Sequence, residues 1–188
     1  MTECTWKEEK RNRAVLVGLN AYSLSAEDNA TETTLEELAA LLETAGGECV
    51  GVVLQNKDKP DARTFIGEGK VDEVRELAQA VEADLVVFDN EISPAQVRVL
   101  TEDIGIQVMD RAGLILDIFA QRARTKEGRL QVALAQYKYL LPRLTGMWGH
   151  LVRQTASGGK SPIGTRGPGE TQLETDRRHI RRKIQKLE

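Results

Sequence analysis

Phosphate chemistry is the first possibility raised by the residue types. Gly159-Lys160-Ser161 repeats the end of the G-x-x-x-x-G-K-[ST] loop, in which backbone amides, a lysine and a metal-binding hydroxyl cradle phosphates. The spacing fails, because the first glycine belongs at position 154, which is Gln154, and Pro162 obstructs the helix start that the motif requires. A second group, Gly67-Glu68-Gly69-Lys70, stands before an amphipathic stretch. It could set two small residues and a helix N-terminus against an anion, giving nucleotide contact at Arg63, Gly67, Gly69 and Lys70. A plain loop-to-helix turn accounts for the same residues. No catalytic residue is assigned, since His150 and His179 lie apart from any Ser, Cys or carboxylate pattern. Cys4 and Cys49 have no metal-ligand spacing and read as free thiols of a reducing compartment. Asp89 and Asp110 close two strand-like runs, where open α/β sheets keep their ligand crevice, although helix capping would equally explain Asp110.

Ser157 to Glu170 is of another kind. Five glycines, two prolines and the cations Lys160 and Arg166 fit neither a helix nor a packed strand, so the segment reads as an exposed loop. Its glycine amides could follow a sugar-phosphate chain closely, and a flexible linker would have the same composition. The surroundings favour the polyanion. Lys138, Arg143, Arg153, Arg177, Arg178, Arg181, Arg182 and Lys183 flank the loop with almost no carboxylates among them, and a single-sign field of this kind attracts nucleic acid. His150, after Trp148-Gly149, reads as an RNA contact or an interhelical residue.

These residues must be positioned by regular elements. Arg13 to Leu19, Cys49 to Leu54, Leu85 to Phe88 and Ile106 to Met109 are short apolar runs that predict strands. Between them, Leu35, Leu38, Ala39, Leu42 and Ala45, then Val71, Val74, Leu77, Ala78 and Val81, recur at helical spacing, and Ser93-Pro94 marks a third helix start. Alternating strands and helices imply a small, mainly parallel α/β sheet with flanking helices over residues 13–110, after a polar tail at 1–12.

Beyond Asp110, Leu114, Ile115, Ile118 and Phe119 open a helix. Leu130, Leu134, Tyr137, Leu141, Leu144, Trp148 and Leu151 then follow the 4-3 spacing of a coiled-coil seam. Leu173, Ile180, Ile184 and Leu187 continue that register past the glycine-rich loop, predicting a long antiparallel helical hairpin over 111–188. Pro142 should kink the first of these helices, which could end as early as Thr145. The seam would also permit pairing between two chains.

Charge divides along the same boundary. Residues 1–110 carry 10 basic and 23 acidic side chains, residues 111–188 carry 16 and 6, and the net charge of −3 over 188 residues hides the contrast. With 40% apolar residues the chain can furnish a core, and with 4% aromatic residues that core must be aliphatic. The low aromatic content also disfavours a single-stranded nucleic-acid platform of stacked rings. No apolar run approaches the roughly 18 residues of a membrane span, and Met1 to Arg13 does not resemble a signal peptide, so a cytoplasmic location is expected.

Four stretches carry a resemblance: T-F-I-G-E-G-K at 64–70, D-R-A-G-L-I-L-D-I-F-A-Q-R-A at 110–123, L-P-R-L-T-G-M-W-G-H-L at 141–151 and I-G-T-R-G-P-G-E-T-Q-L-E-T-D-R-R at 163–178. Over about residues 13 to 186 the chain closely resembles the HflX GTPases. The resemblance implies a ribosome-associated GTPase that binds the large (50S) subunit and its rRNA and splits stalled or hibernating ribosomes under stress. It also implies hydrolysis of GTP, with Mg2+, in a Ras-like domain that the hairpin domain regulates. That domain would follow the second hairpin helix, whereas the sequence stops at Glu188, so a truncated chain is the favoured reading. By motif match, RNA contact falls on Arg153, Arg166, Arg177 and Arg178 and on Gly164, Gly167 and Gly169, with Arg143, His150 and Lys160 added from charge and position. The rival readings make the α/β domain itself an ATP- or GTP-binding module, or a structural domain that regulates the GTPase.

Overall fold

The computed structural model describes residues 12–155 and 168–187, with side chains described for 12–143 and 178–187. Four parallel strands, β1 (Arg13–Ala21), β2 (Glu48–Lys57), β3 (Leu85–Phe88) and β4 (Gln107–Asp110), form one sheet in the order β2-β1-β3-β4. The helices between and after them are α1 (Glu32–Thr44), α2 (Glu68–Ala80), α3 (Pro94–Ile104) and α4 (Arg111–Arg122).

Central β1 shows why the strand runs lacked polar alternation: Ala14 to Leu19 are buried on both faces. Val15, Val17 and Leu19 join Val74 of α2 and Leu100 of α3 in one apolar layer. Ala14 and Leu16 meet Leu35, Leu38 and Leu42 of α1 and Leu114 and Ile118 of α4 in the other. The pleat alternates residues between two helical layers instead of between core and water.

Helix starts follow the local chemistry. Thr31 and Thr34 close a capping box on α1, as Ser93 and Gln96 do on α3, where Pro94 occupies the first turn and needs no amide partner. Gly105 ends α3 at φ +90°, a left-handed conformation that a side chain would oppose.

Two long helices complete the chain, α5 (Lys126–Thr155) and α6 (Pro168–Leu187). The expectation that α5 could stop near Thr145 is corrected: the helix passes through Pro142 and continues for thirteen residues. Proline deletes one helical hydrogen bond, and packing of Arg143, the next residue, holds the turn that follows it. The loop expected at 157–170 is shorter at its end, because Pro168, Gly169 and Glu170 form the first turn of α6, where a proline's missing amide is harmless. The rest of that loop, through Gly167, lies outside the described residues. α5 and α6 meet where Lys183 Nζ donates to the Tyr137 hydroxyl at 3.0 Å, with the ammonium 5.2 Å from the ring centroid.

Candidate functional site

The sheet and the long helices are joined at Asp110. It is the last residue of β4 and the N-cap of α4, its Oδ1 accepting from the Gly113 amide at 3.0 Å, so capping accounts for it. The Tyr139 hydroxyl of α5 donates to the same oxygen at 2.7 Å, and Arg143 Nη2 donates to Oδ2 at 2.9 Å. Arg143 also donates to the carbonyls of Tyr139 (3.1 Å) and Ile92 (3.3 Å), and its guanidinium lies 3.7 Å from the Tyr139 ring centroid. The Asp110 side chain is fully buried and that of Arg143 is 13% exposed. A buried ion pair is tolerated when hydrogen bonds satisfy the charges, and here three donors reach one carboxylate. Burial, reinforced by the Asp110 charge, pushes the Tyr139 phenol well up, so it stays a donor at any physiological pH. A Cβ on Gly113 would sit 2.6 Å from the Tyr139 hydroxyl, so only glycine admits the ring there.

Beside this joint, a cleft of about 550 Å³ follows the carboxyl ends of β1 and β3. Leu24 and Asp28 form one wall, Asn90 and Ile92 another, and Phe65 and Arg143 also line it. The crossovers from β1 and β3 diverge here, where open parallel sheets hold ligands. Asn90 is a tie in its floor: it accepts from the Leu19 amide at 2.8 Å and donates to the carbonyls of Leu19 and Asp28. Asp89 pairs with Arg111 at 2.9 Å, and Arg111 reaches Glu37 at 3.1 Å, linking β3, α4 and α1.

Residues 32–120 match the family model for the N-terminal region of GTP-binding GTPases, and residues 122–188 match the model for their middle region. The GTPase HflX of Alkalihalophilus pseudofirmus is 50% identical over 182 residues, covering 97% of this chain and 41% of the relative. That of Escherichia coli is 49% identical over 154 residues, covering 82% and 35%. The chain belongs to the HflX GTPase family. It spans about two fifths of the length of the curated relatives it matches. A GTP-binding protein from Sulfolobus solfataricus, solved in complex with GDP, shares the fold at TM-score 0.59 and 20% identity, covering 94% of this chain and 44% of that one.

Within this chain the residues singled out by sequence are placed unequally. Charge and position group Arg143 with the RNA-facing cations, whereas the structure spends its guanidinium inside the molecule on Asp110, Tyr139 and Ile92. The glycine cluster before α2 is densely paired. Arg63 lies 3.1 Å from Asp103 and 4.0 Å from Glu68, Lys70 lies 2.6 Å from Glu73, and the Gly67 amide donates to Gln55 at 2.9 Å. A phosphate there would compete with three carboxylates. Gly69 stands open, with nothing within 4 Å of a Cβ built on it.

Arg178, with Arg181, Arg182, Lys183 and Lys186, is exposed on the described face of α6, where no carboxylate accompanies them. His150 and Arg153 sit on the last turns of α5, Gly169 and Arg177 on α6, and the side chains of these residues lie outside the described part. Lys160, Gly164, Arg166 and Gly167 lie outside the described residues altogether.

Tyr139 and Gly113 were missed by the sequence reading. The available signal was a second stripe on α5, Gln136, Tyr139 and Arg143 at 3-4 spacing, beside the apolar seam that starts from Leu130. Gln136 uses it to reach Asp117 at 3.4 Å. Among the described residues, no helix is long and apolar enough to cross a membrane.

Proposed function

We propose that this chain is the docking half of an HflX-type GTPase: α5 and α6 pair as an antiparallel hairpin that binds the rRNA of the large ribosomal subunit. The observation that carries the reading is the exposed run Arg178, Arg181, Arg182, Lys183 and Lys186, beside an acidic sheet domain that a polyanion would avoid. Arg153, Lys160, Arg166 and Arg177, with Gly164, Gly167 and Gly169, extend the same field into the connecting loop, and His150 borders it. In this proposal the family's GTP and Mg2+ chemistry belongs to the remaining length of the whole protein, in the cytoplasm, where it drives splitting or rescue of stalled ribosomes.

Co-sedimentation of the chain with purified large and small subunits over a salt series tests it. Large-subunit binding whose affinity falls steeply with salt is expected, because each neutralised phosphate releases counterions. Replacing Arg153, Arg166 and Arg178 by Ala together should weaken binding and flatten that slope by about 2 to 3. Equal binding to both subunits, or none at low salt, overturns the reading.

The cleft at the ends of β1 and β3 favours a second reading, in which the α/β domain holds a nucleotide there or at residues 63–70. Equilibrium dialysis with ATP and GTP decides it, and no uptake at millimolar ligand rejects it.

A further inference from the structure

Pro142 lies in the interior of the 30-residue helix α5, and beyond it the helix runs on from Arg143 to Thr155. That far part is about 18 Å long at 1.5 Å per residue, so a small bend at the proline moves the helix tip by several ångströms. Proline interrupts helical hydrogen bonding and would by itself leave this turn free to bend. Among the described residues, the turn carries the densest polar contacts between the sheet domain and α5. Arg143 reaches back to the Tyr139 carbonyl at 3.1 Å, sideways to Asp110 at 2.9 Å and across to the Ile92 carbonyl at 3.3 Å. Tyr139, on the other side of the proline, grips the same carboxylate at 2.7 Å. The two sides of the proline are thus clamped to one buried anion, and Ile92 belongs to the loop after β3, so two separate strand ends hold the clamp.

We infer that Asp110, Tyr139 and Arg143 are positioning residues that lock the Pro142 hinge and thereby aim the tip of α5 at its RNA partner. This rests on the docking function proposed above, which supplies the target but not the lock. The lock touches no RNA and acts through direction alone. It also gives two of the sequence stretches, D-R-A-G at 110–113 and L-P-R at 141–143, a shared purpose: the first supplies the buried anion and the glycine that admits Tyr139, and the second supplies the hinge and its clamp.

The test uses the full 188-residue chain with Cys4→Ser and Cys49→Ser, spin-labelled at Glu36→Cys on exposed α1 and at Gln154→Cys on the last turn of α5. Double electron–electron resonance then reads the distance distribution between domain and tip, and subunit co-sedimentation is run in parallel. Arg143→Gln breaks the clamp. Gly113→Ala displaces the Tyr139 ring without altering charge, and Tyr139→Phe, the mildest change, guards against loss of folding in the other two.

A narrow distribution is expected in the parent and a broadened one in each variant whose circular dichroism remains native. Large-subunit affinity should fall about fivefold to tenfold with an unchanged salt slope. A merely structural role would lower the melting temperature and leave the distribution of the folded protein unmoved. Unchanged distributions in folded variants overturn the lock, and broadened distributions with unchanged affinity overturn its role in aiming. If the parent itself fails to bind, the docking function falls, and the distance measurement still decides whether the hinge is locked.

Discussion

Arg143 and Arg178 carry the same charge to opposite ends. Arg143 is 13% exposed and bound to a carboxylate and two carbonyls, whereas Arg178 projects from α6 into water beside four other cations. The contrast extends to the regions around them. In the sheet domain cations are tied to carboxylates: Arg63 to Asp103, Arg75 to Asp72, Lys70 to Glu73, and Arg111 to both Glu37 and Asp89. Pairing neutralises these cations and leaves the domain's surplus carboxylates to set a negative field, while the unbalanced cations of α6 add to a positive one, and a polyanion is drawn only by the second arrangement.

Substitutions that exchange these roles provide the sharpest tests. Arg143→Ala leaves Asp110 charged and buried, and should cost about 3–5 kcal/mol in urea unfolding of the sheet domain. A loss comparable to that of a surface arginine would break the comparison. Leu38→Ala, in the aliphatic layer between α1 and the sheet, should cost about 2–5 kcal/mol, whereas Ile184→Ala on half-exposed α6 should lie near 0.5 kcal/mol. Similar losses at the two sites would mean that α6 has a core of its own.

Ser93→Ala removes the capping box of α3 and should lower stability by about 1 kcal/mol, readable in the same melts. The smallest effect is expected at Asp61, whose carboxyl is held below its ordinary range, chiefly by the amides of Arg63 and Thr64. Its folded value lies below its unfolded one, so the contribution is present above the unfolded value and lost as pH falls through the folded one. Asp61→Asn should lower stability slightly at neutral pH, leave it unchanged at the most acidic pH, and so flatten the acid limb of the stability profile.

Much of the sheet domain was legible because its strands are buried on both faces. Leu85 to Phe88 is a bare apolar run, and the stripe of Leu35, Leu38 and Leu42 has helical period, so element type followed from pattern. Boundaries shifted where a cap or proline decided them, as at Asp110 and Pro168. The Asp110–Tyr139 bond spans 29 residues and joins a strand end to a helix face, which no local pattern encodes. The inward turn of Arg143 is hidden from the sequence for a related reason: composition reports how many cations a helix carries, and only packing reports which way each one faces. The cations of α6 were easier, since Arg178 to Lys183 holds no carboxylate to turn toward.

Central β1 has a further consequence, for the order of assembly. It is first in the chain yet lies between β2 and β3, and the Asn90 bonds that fasten its end to the loop after β3 cross 71 residues. Closing such a loop costs chain entropy before any contact returns it, so assembly of this domain is governed by distant partners and is slow for its size. During synthesis β1 stays uncovered on one edge until β3 has emerged. A nascent chain of this kind holds its central apolar strand in waiting, which makes the interval between residues 21 and 85 the period in which it is most open to chaperones and to misfolding.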